Sequence, residues 1–314
     1  MNDVSKFSVS WSAYGGDIGK SIEKHRNLFN VADDFLRYLA AIYGLSIRVP
    51  EIKVFEGDMF EACAAETHDI HLSSGVVKYA LQVYDEMFSG ELPHGIEKPN
   101  SGHLTLNVLL FVVAHEFFHI ARGHFQVIRH HPGCLHALEC DADGMAATAL
   151  FRYLQYRISV ASISDEEQKE LSEILPSDRK YLSLYSVFWP IRAQIGSSIA
   201  APDWSPTHPC WHVRLWGVVR KMAYVDNVKV VNGVPIEDKK KISADIDVGM
   251  ELLFALDEFY MMRKALPRDQ SALEKFFQRD FQTEFFVPIH EKWNEIKQTV
   301  RRYSYLENLK NGAI

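Results

Sequence analysis

One segment, residues 104–121, constrains the fold of this chain more than any other. It is rich in Leu, Val, Phe and Ala and contains neither Gly nor Pro, so it predicts a buried helix. Near its end it carries the pattern His115-Glu116-Phe117-Phe118-His119. Because positions i and i+4 share one face of a helix, the two imidazoles are expected to lie side by side. Such a pair indicates a metal site.

The residue types in this pattern are typical of a hydrolytic zinc centre. Zn²⁺ binds neutral imidazole nitrogens well, and a hydrolytic site needs three protein ligands and one open position for water. His115 and His119 would supply two of these ligands. Glu116 points slightly around the helix from His115, where it can reach the water and act as its general base.

The third ligand is expected from a second helix. Pro132 and Gly133 interrupt the chain, and the following residues 135–154 have Ala and Leu spaced for helix packing. Glu139 lies in the first turns of this helix and is the predicted third ligand. Asp143, one turn further on, is predicted to accept a hydrogen bond from a ligating histidine and so to fix the tautomer of that ring. One zinc ion per chain is therefore expected.

Together these residues resemble the gluzincin metallopeptidases, in which HExxH is followed by a glutamate ligand on a second helix. The run from Glu139 to Asp143 has the form ExxAD and resembles the M48 family in particular. Residues 120–124, Ile-Ala-Arg-Gly-His, also resemble the Lit-type phage-exclusion peptidases of bacteria. The likeness covers residues 47–220. It implies a zincin-like catalytic core and zinc-dependent endopeptidase activity on a polypeptide substrate.

A third motif, at residues 205–214, extends the resemblance. Its sequence, Ser-Pro-Thr-His-Pro-Cys-Trp-His-Val-Arg, looks like the motif that follows the active-site helices in M48-type peptidases. The resemblance implies that His208 stabilises the tetrahedral oxyanion and that Arg214 braces the glutamate ligand. Alternatively, His208 caps the next helix and Arg214 lies on its solvated face. His212 is a less favoured substitute for His208.

A fourth match precedes the first ligand helix. Residues 67–75 predict a short strand that runs into a turn and then a helix. In gluzincins, an edge strand before the HExxH helix binds the substrate as an added strand, which would make Ile70, His71 and Leu72 substrate-binding residues. An ordinary strand with Ile70 and Leu72 turned inward is equally compatible with the pattern.

The whole chain predicts a mostly helical α+β fold. An N-terminal helical segment (1–46) is expected to precede the zincin-like core (47–225), which holds both ligand helices and a small sheet with an edge strand. A C-terminal helical region (226–314) is expected to pack on the core. Beyond the ligand helices, the pattern predicts helices at 21–43, 76–88, 165–175, 179–195, 244–266 and 271–305, strands at 47–55, 61–65 and 69–73, and a hairpin with an Asn-Gly turn at 224–234.

Composition favours a cytoplasmic protein without a nucleic-acid partner. The net charge of −7 and a pI near 6.1 leave little of the basic surface that nucleic-acid binding uses. The first ten residues lack the apolar region of a secretory signal, and the four Cys are scattered rather than arranged as a disulfide framework. The longest apolar run, residues 108–114, is far short of the about 20 residues that a membrane span needs. The oligomeric state is left open.

Two other functions fit the same residues. The fold could serve as a zinc-binding regulatory or sensor module of a bacterial stress or phage-defence system, with little or highly selective turnover. It could also be a zinc hydrolase of small amides. An exposed edge strand beside the metal would favour peptides, whereas a closed, deep pocket would favour small molecules.

Overall fold

Helices dominate the fold, and two small sheets accompany them, as the α+β prediction requires. The computed structural model describes residues 26–92, 98–159, 176–193, 209–225, 227–231, 234–265 and 282–307. In chain order these form α1 (Arg26–Tyr43), β1 (Ile52–Phe55), β2 (Ala62–Ala64), β3 (Ile70–Ser73), α2 (Ser74–Phe88), α3 (Ser101–Ala121), α4 (His124–His130), α5 (Leu135–Ser159), α6 (Pro176–Ala193), α7 (Trp211–Tyr224), β4 (Val228–Val231), β5 (Val234–Glu237), α8 (Lys239–Arg263), a π-helical turn (Gln282–Phe286) and α9 (Val287–Tyr303). The helix predicted at 165–175 lies outside the described residues.

Helix α3 occupies the centre of the protein because it is apolar on every side. From Leu104 to Ala121 all of its residues are buried except His119, which is partly exposed. It packs against α1, α2, α5 and α6 and against the small sheet. By length and hydropathy it could also cross a membrane, but 94% of its most apolar stretch is buried inside the protein. The absence of a membrane span stays a prediction.

The three-stranded sheet corrects one prediction. Its strand order is β1-β3-β2, with β3 parallel to β1 and antiparallel to β2. The strand that carries Ile70, His71 and Leu72 is therefore central, and its prediction as an edge strand is wrong. Ile70 and Leu72 are turned inward and fully buried. The physical reason is that β3 pairs with β1 on one side and with β2 on the other. Its backbone N–H and C=O groups are therefore not available to an added strand.

A reversal of the chain after α3 brings α4 back beside the first ligand helix. Gly123 has a φ of +65° and precedes α4, while the backbone N–H of Arg122 still closes the last turn of α3 on Phe118. The C-terminal segment covers this turn, because Tyr305 donates its N–H to the carbonyl of Ala121 at 2.8 Å. The turn therefore has a fixed position in the fold.

One hydrophobic cluster connects distant parts of the chain. It includes Phe29 of α1, Phe259 of α8 and Leu306 near the C-terminal end, together with most of α3. The predicted hairpin is confirmed as β4 and β5, although its Asn-Gly turn lies outside the described residues. The division into three segments stays a prediction.

Candidate metal centre

Three side chains from the two predicted ligand helices converge on one point. The Nε2 atoms of His115 and His119 lie 3.1 Å apart. An oxygen of Glu139 lies 3.3 Å from each of these nitrogens, Oε2 from His115 and Oε1 from His119. Among the described residues, this group of His115, His119 and Glu139 could hold a metal ion. Helices α3 and α5 pack side by side, so the convergence follows from packing of two rigid elements.

His115 is backed directly by a carboxylate. Its Nδ1 lies 2.9 Å from Oδ1 of Asp143, one helical turn beyond Glu139 on α5. Asp143 in turn accepts two hydrogen bonds from Arg214 of α7, at 2.7 Å from Nε and 2.8 Å from Nη2. We call Asp143 and Arg214 the direct support of His115. Both are buried, so the expectation that Asp143 contacts a ligating histidine agrees with the geometry.

His119 is backed in a different way, through a second imidazole. Its Nδ1 lies 3.0 Å from Nδ1 of His124 on α4, and Nε2 of His124 lies 3.2 Å from Oδ2 of Asp141 on α5. Arg122 donates to both oxygens of Asp141, at 2.6 Å from Nε and 3.1 Å from Nη2. We call His124, Asp141 and Arg122 the relay of His119. Sequence reasoning missed this relay.

Glu116 lies beside the cluster in a buried position. The pKa of its carboxyl group is raised to about 7, chiefly by burial. The Glu139 charge raises this pKa further, whereas His115 and a backbone hydrogen bond from Ala64 lower it. Ala64 belongs to β2, which packs against α3. A carboxyl group with a pKa near neutrality is suited to take up a proton and return it.

Comparison with protein-family models, with curated proteins and with solved structures finds no match. The gluzincin resemblance therefore depends on the residues themselves. It depends on the HExxH pattern in α3, on the third ligand in α5 and on their convergence.

The electrostatic environments of the three ligands differ. Burial lowers the pKa of His119 to about 3, which leaves its ring neutral and ready to bind a metal. Burial is the largest single effect on His115 and would lower its pKa, but the Asp143 and Glu139 carboxylates together outweigh burial and raise it. Glu139 would have a raised pKa from burial, but the two imidazoles and Arg214 hold it well below its usual range. A metal ion that binds His115 would therefore displace a proton from its ring.

The residues of the third motif are placed only in part. His208 lies outside the described residues. Arg214 is 3% exposed, so the alternative that it lies on a solvated face is wrong. Two of its hydrogen bonds go to Asp143, and its charge also lowers the pKa of Glu139. His212 is buried and stacks on Trp211, with ring centroids 3.6 Å apart.

Two signals in the sequence bear on the relay. Arg122, Gly123 and His124 directly follow the HExxH helix, which places a cation, a turn and an imidazole next to a ligand. Asp141 lies between Glu139 and Asp143, at a position that faces away from both on a helix. Neither signal identifies a partner until the turn at Gly123 is known.

Proposed function

We propose that this chain is a zinc-dependent endopeptidase of the gluzincin type with a zincin-like core. The observation that carries the proposal is the convergence of His115, His119 and Glu139 beside a buried Glu116. By composition, we further propose that it acts in the cytoplasm on a polypeptide substrate, without nucleic acid and without a membrane span.

The separations between the ligand atoms fit a zinc ion. With bonds of about 2.0–2.1 Å, tetrahedral coordination places neighbouring ligand atoms roughly 3.3 Å apart. In this cluster the two Nε2 atoms are 3.1 Å apart, and each carboxylate oxygen of Glu139 lies 3.3 Å from a different one of them, Oε2 from His115 and Oε1 from His119. Two imidazole nitrogens and one carboxylate oxygen also form a donor set that zinc accepts, and three protein ligands leave one position for water.

The chemistry divides between the ion and Glu116. A zinc ion bound by the three ligands would act as a Lewis acid that lowers the pKa of water and polarises the scissile carbonyl. Glu116 takes the proton from the attacking water at a carboxylate oxygen and then gives it to the nitrogen of the leaving amine as the C–N bond breaks. His208 is proposed to donate to the oxyanion, as the resemblance implies.

The edge strand β2 supports a polypeptide substrate. Ala65 donates its N–H to Asp69, and Ser73 donates to Glu61, both at 2.8 Å, so residues 61, 63 and 65 direct their backbone groups toward β3. Because this direction alternates along an antiparallel strand, Ala62 and Ala64 direct theirs away from β3. Within the described part of the chain, β2 pairs with β3 alone. An extended peptide could pair with Ala62 and with the carbonyl of Ala64 at this edge, since the N–H of Ala64 already bonds Glu116.

The proposal is tested by zinc content and by cleavage of a denatured-protein mixture. We expect one zinc ion per chain in the wild type and in Glu116→Gln, and none retained by Glu139→Ala. Glu116→Gln should lower cleavage by about 10²–10⁴-fold, because it keeps the volume of the side chain and removes the base. Glu86→Gln, which changes an exposed partner of Lys264 far from the cluster, is the matched control and should cleave normally.

The outcomes separate the candidate functions. Undiminished zinc-dependent cleavage by Glu116→Gln would refute its role as the base. Zinc bound at the three ligands without any cleavage by the wild type would favour a sensor module or a highly selective enzyme. A wild type that binds no metal at these ligands would overturn the proposal as a whole.

A further inference from the structure

The relay of His119 is a continuous set of polar contacts inside the protein. His119, His124 and Asp141 follow one another at 3.0 and 3.2 Å, and Arg122 closes the series on both oxygens of Asp141. His124 is fully buried, and its position is set by the start of α4. The relay thus connects a metal ligand to an ion pair that does not itself touch the ligand group.

Only one arrangement of protons satisfies every contact when Nε2 of His119 binds a metal. The neutral ring then carries its proton on Nδ1, which must donate to Nδ1 of His124. His124 can accept there only if its own proton is on Nε2. That proton faces Asp141, whose carboxylate accepts it together with the two N–H groups of Arg122. Each donor therefore meets an acceptor from the ligand to the guanidinium.

We propose that His124 is a positioning residue for the metal ligand His119, and that Asp141 and Arg122 hold His124 in the tautomer that this role requires. The inference rests on the proposed metal site and extends it to residues outside the ligand set. A ligating histidine whose other nitrogen is held by a partner keeps its ring orientation and tautomer, and loss of such a partner weakens metal binding.

A purely structural role for this cluster makes a different prediction. If His124 only fills space and satisfies buried polar groups, metal affinity would follow the stability of the metal-free protein. If His124 positions His119, affinity depends on which of the two contacts of His124 is kept. Two single substitutions of His124, to Asn and to Gln, distinguish these cases, because the two side chains place their amide groups at different distances from the backbone.

The variants are therefore chosen by the contact that each retains. His124→Asn can present a carbonyl oxygen near the position of Nδ1 and accept from His119, but it does not reach Asp141. His124→Gln can donate an amide N–H to Asp141 from near the position of Nε2, but it loses the acceptor for His119. His124→Phe removes both contacts while keeping a ring. His130→Asn is the control, because His130 lies on the same helix and stacks on Tyr303 instead.

The experiment measures zinc affinity of each purified full-length variant by competition with a chromogenic chelator. The free energy of unfolding of each metal-free variant is measured beside it, and the absorption spectrum of the cobalt-substituted protein reports the ligand geometry. We expect His124→Phe and His124→Gln to bind zinc about 10–100-fold more weakly than the wild type and to change the cobalt spectrum. His124→Asn should recover most of that affinity, and His130→Asn should match the wild type.

The results distinguish this inference from the proposed function. Equal affinity in the wild type and in all the His124 variants would overturn the relay while leaving the metal site intact. Affinity that falls equally in His124→Asn and His124→Gln, in step with unfolding free energy, would reduce the cluster to a structural role and also overturn it. If His124→Phe does not fold, the Asn and Gln pair still decides. A wild type that binds no zinc would overturn the proposed function itself, and the inference that rests on it.

Discussion

The two histidines of the cluster are supported in parallel but unequal ways. Behind each ring lies an aspartate that accepts two hydrogen bonds from an arginine. The direct support places its aspartate 2.9 Å from His115, whereas the relay reaches His119 through a second imidazole. Two candidate ligands four residues apart on one helix are thus each backed by an Asp–Arg ion pair, one in direct contact and the other one imidazole away.

The geometry of α5 explains the difference. Successive residues of an α-helix are rotated by about 100°, so Asp143 faces nearly the same way as Glu139, and Asp141 faces almost the opposite way. Asp143 can therefore contact His115, a candidate ligand on the same side as Glu139, directly. Asp141 cannot, and the imidazole of His124 spans the remaining distance.

The two supports also differ in their exposure to water. The side chains of Asp143 and Arg214 are 0% and 3% exposed, whereas those of Asp141 and Arg122 are 10% and 8% exposed. Arg122 also lies over the ring of Trp293, at 5.6 Å from the centroid. A guanidinium that lies over an aromatic ring keeps that favourable interaction when its carboxylate is lost.

The largest effect is expected from breaking the direct support. Asp143→Ala removes the carboxylate that accepts two hydrogen bonds from the buried Arg214, and loss of one partner of a buried ion pair costs about 3–5 kcal/mol of unfolding free energy. Urea denaturation of the metal-free protein measures this loss. Asp143→Asn keeps an acceptor and should lose less unfolding free energy than Asp143→Ala. Equal stability of Asp143→Ala and the wild type would show that the ion pair does not stabilise the fold.

The sequence predicted the ligand geometry because it depends on local spacing. His115 and His119, and likewise Glu139 and Asp143, are separated by one helical turn, which fixes the face on which each pair lies whatever the rest of the fold does. The structure accordingly brings the predicted ligands of α3 and α5 together.

Strand order and the relay were not predictable in the same way. The prediction that Ile70–Ser73 forms an edge strand was wrong because its second neighbour, β2, has only three residues. The pairing of β2 with β3 depends on contacts across a turn. The relay needs the reversal at Gly123, which sets the direction of α4 only once the C-terminal segment covers it. Long-range packing, rather than local pattern, decides both features.

A second substitution tests the backbone beneath the relay. Gly123→Ala places a methyl group 2.3 Å from the carbonyl oxygen of Tyr303 and keeps a left-handed φ of +65°. The left-handed conformation costs about 1–2 kcal/mol, and the overlap should add roughly 1–3 kcal/mol. Zinc affinity should also fall, because the neighbouring His124 must shift.

Gly133→Ala is the matched control for this substitution. Gly133 also has a positive φ, of +92°, but a methyl group there meets nothing within 4 Å. It should lose only the conformational part of the stability and bind zinc as the wild type does. Equal losses of stability and affinity in both variants would contradict the fixed turn before α4.

A smaller loss of stability than in Asp143→Ala is expected when the ion pair of the relay is broken. Asp141→Ala removes the acceptor for both His124 and Arg122, and hydrogen bonds to charged groups contribute about 1.5–3 kcal/mol. The loss should be smaller than in Asp143→Ala, because the side chain of Arg122 is slightly less buried than that of Arg214 and keeps its contact with Trp293. Urea denaturation of both variants side by side measures the difference. If Asp141→Ala proved the more damaging, exposure would not separate the two supports, and their contrast would have to come from the intervening imidazole alone.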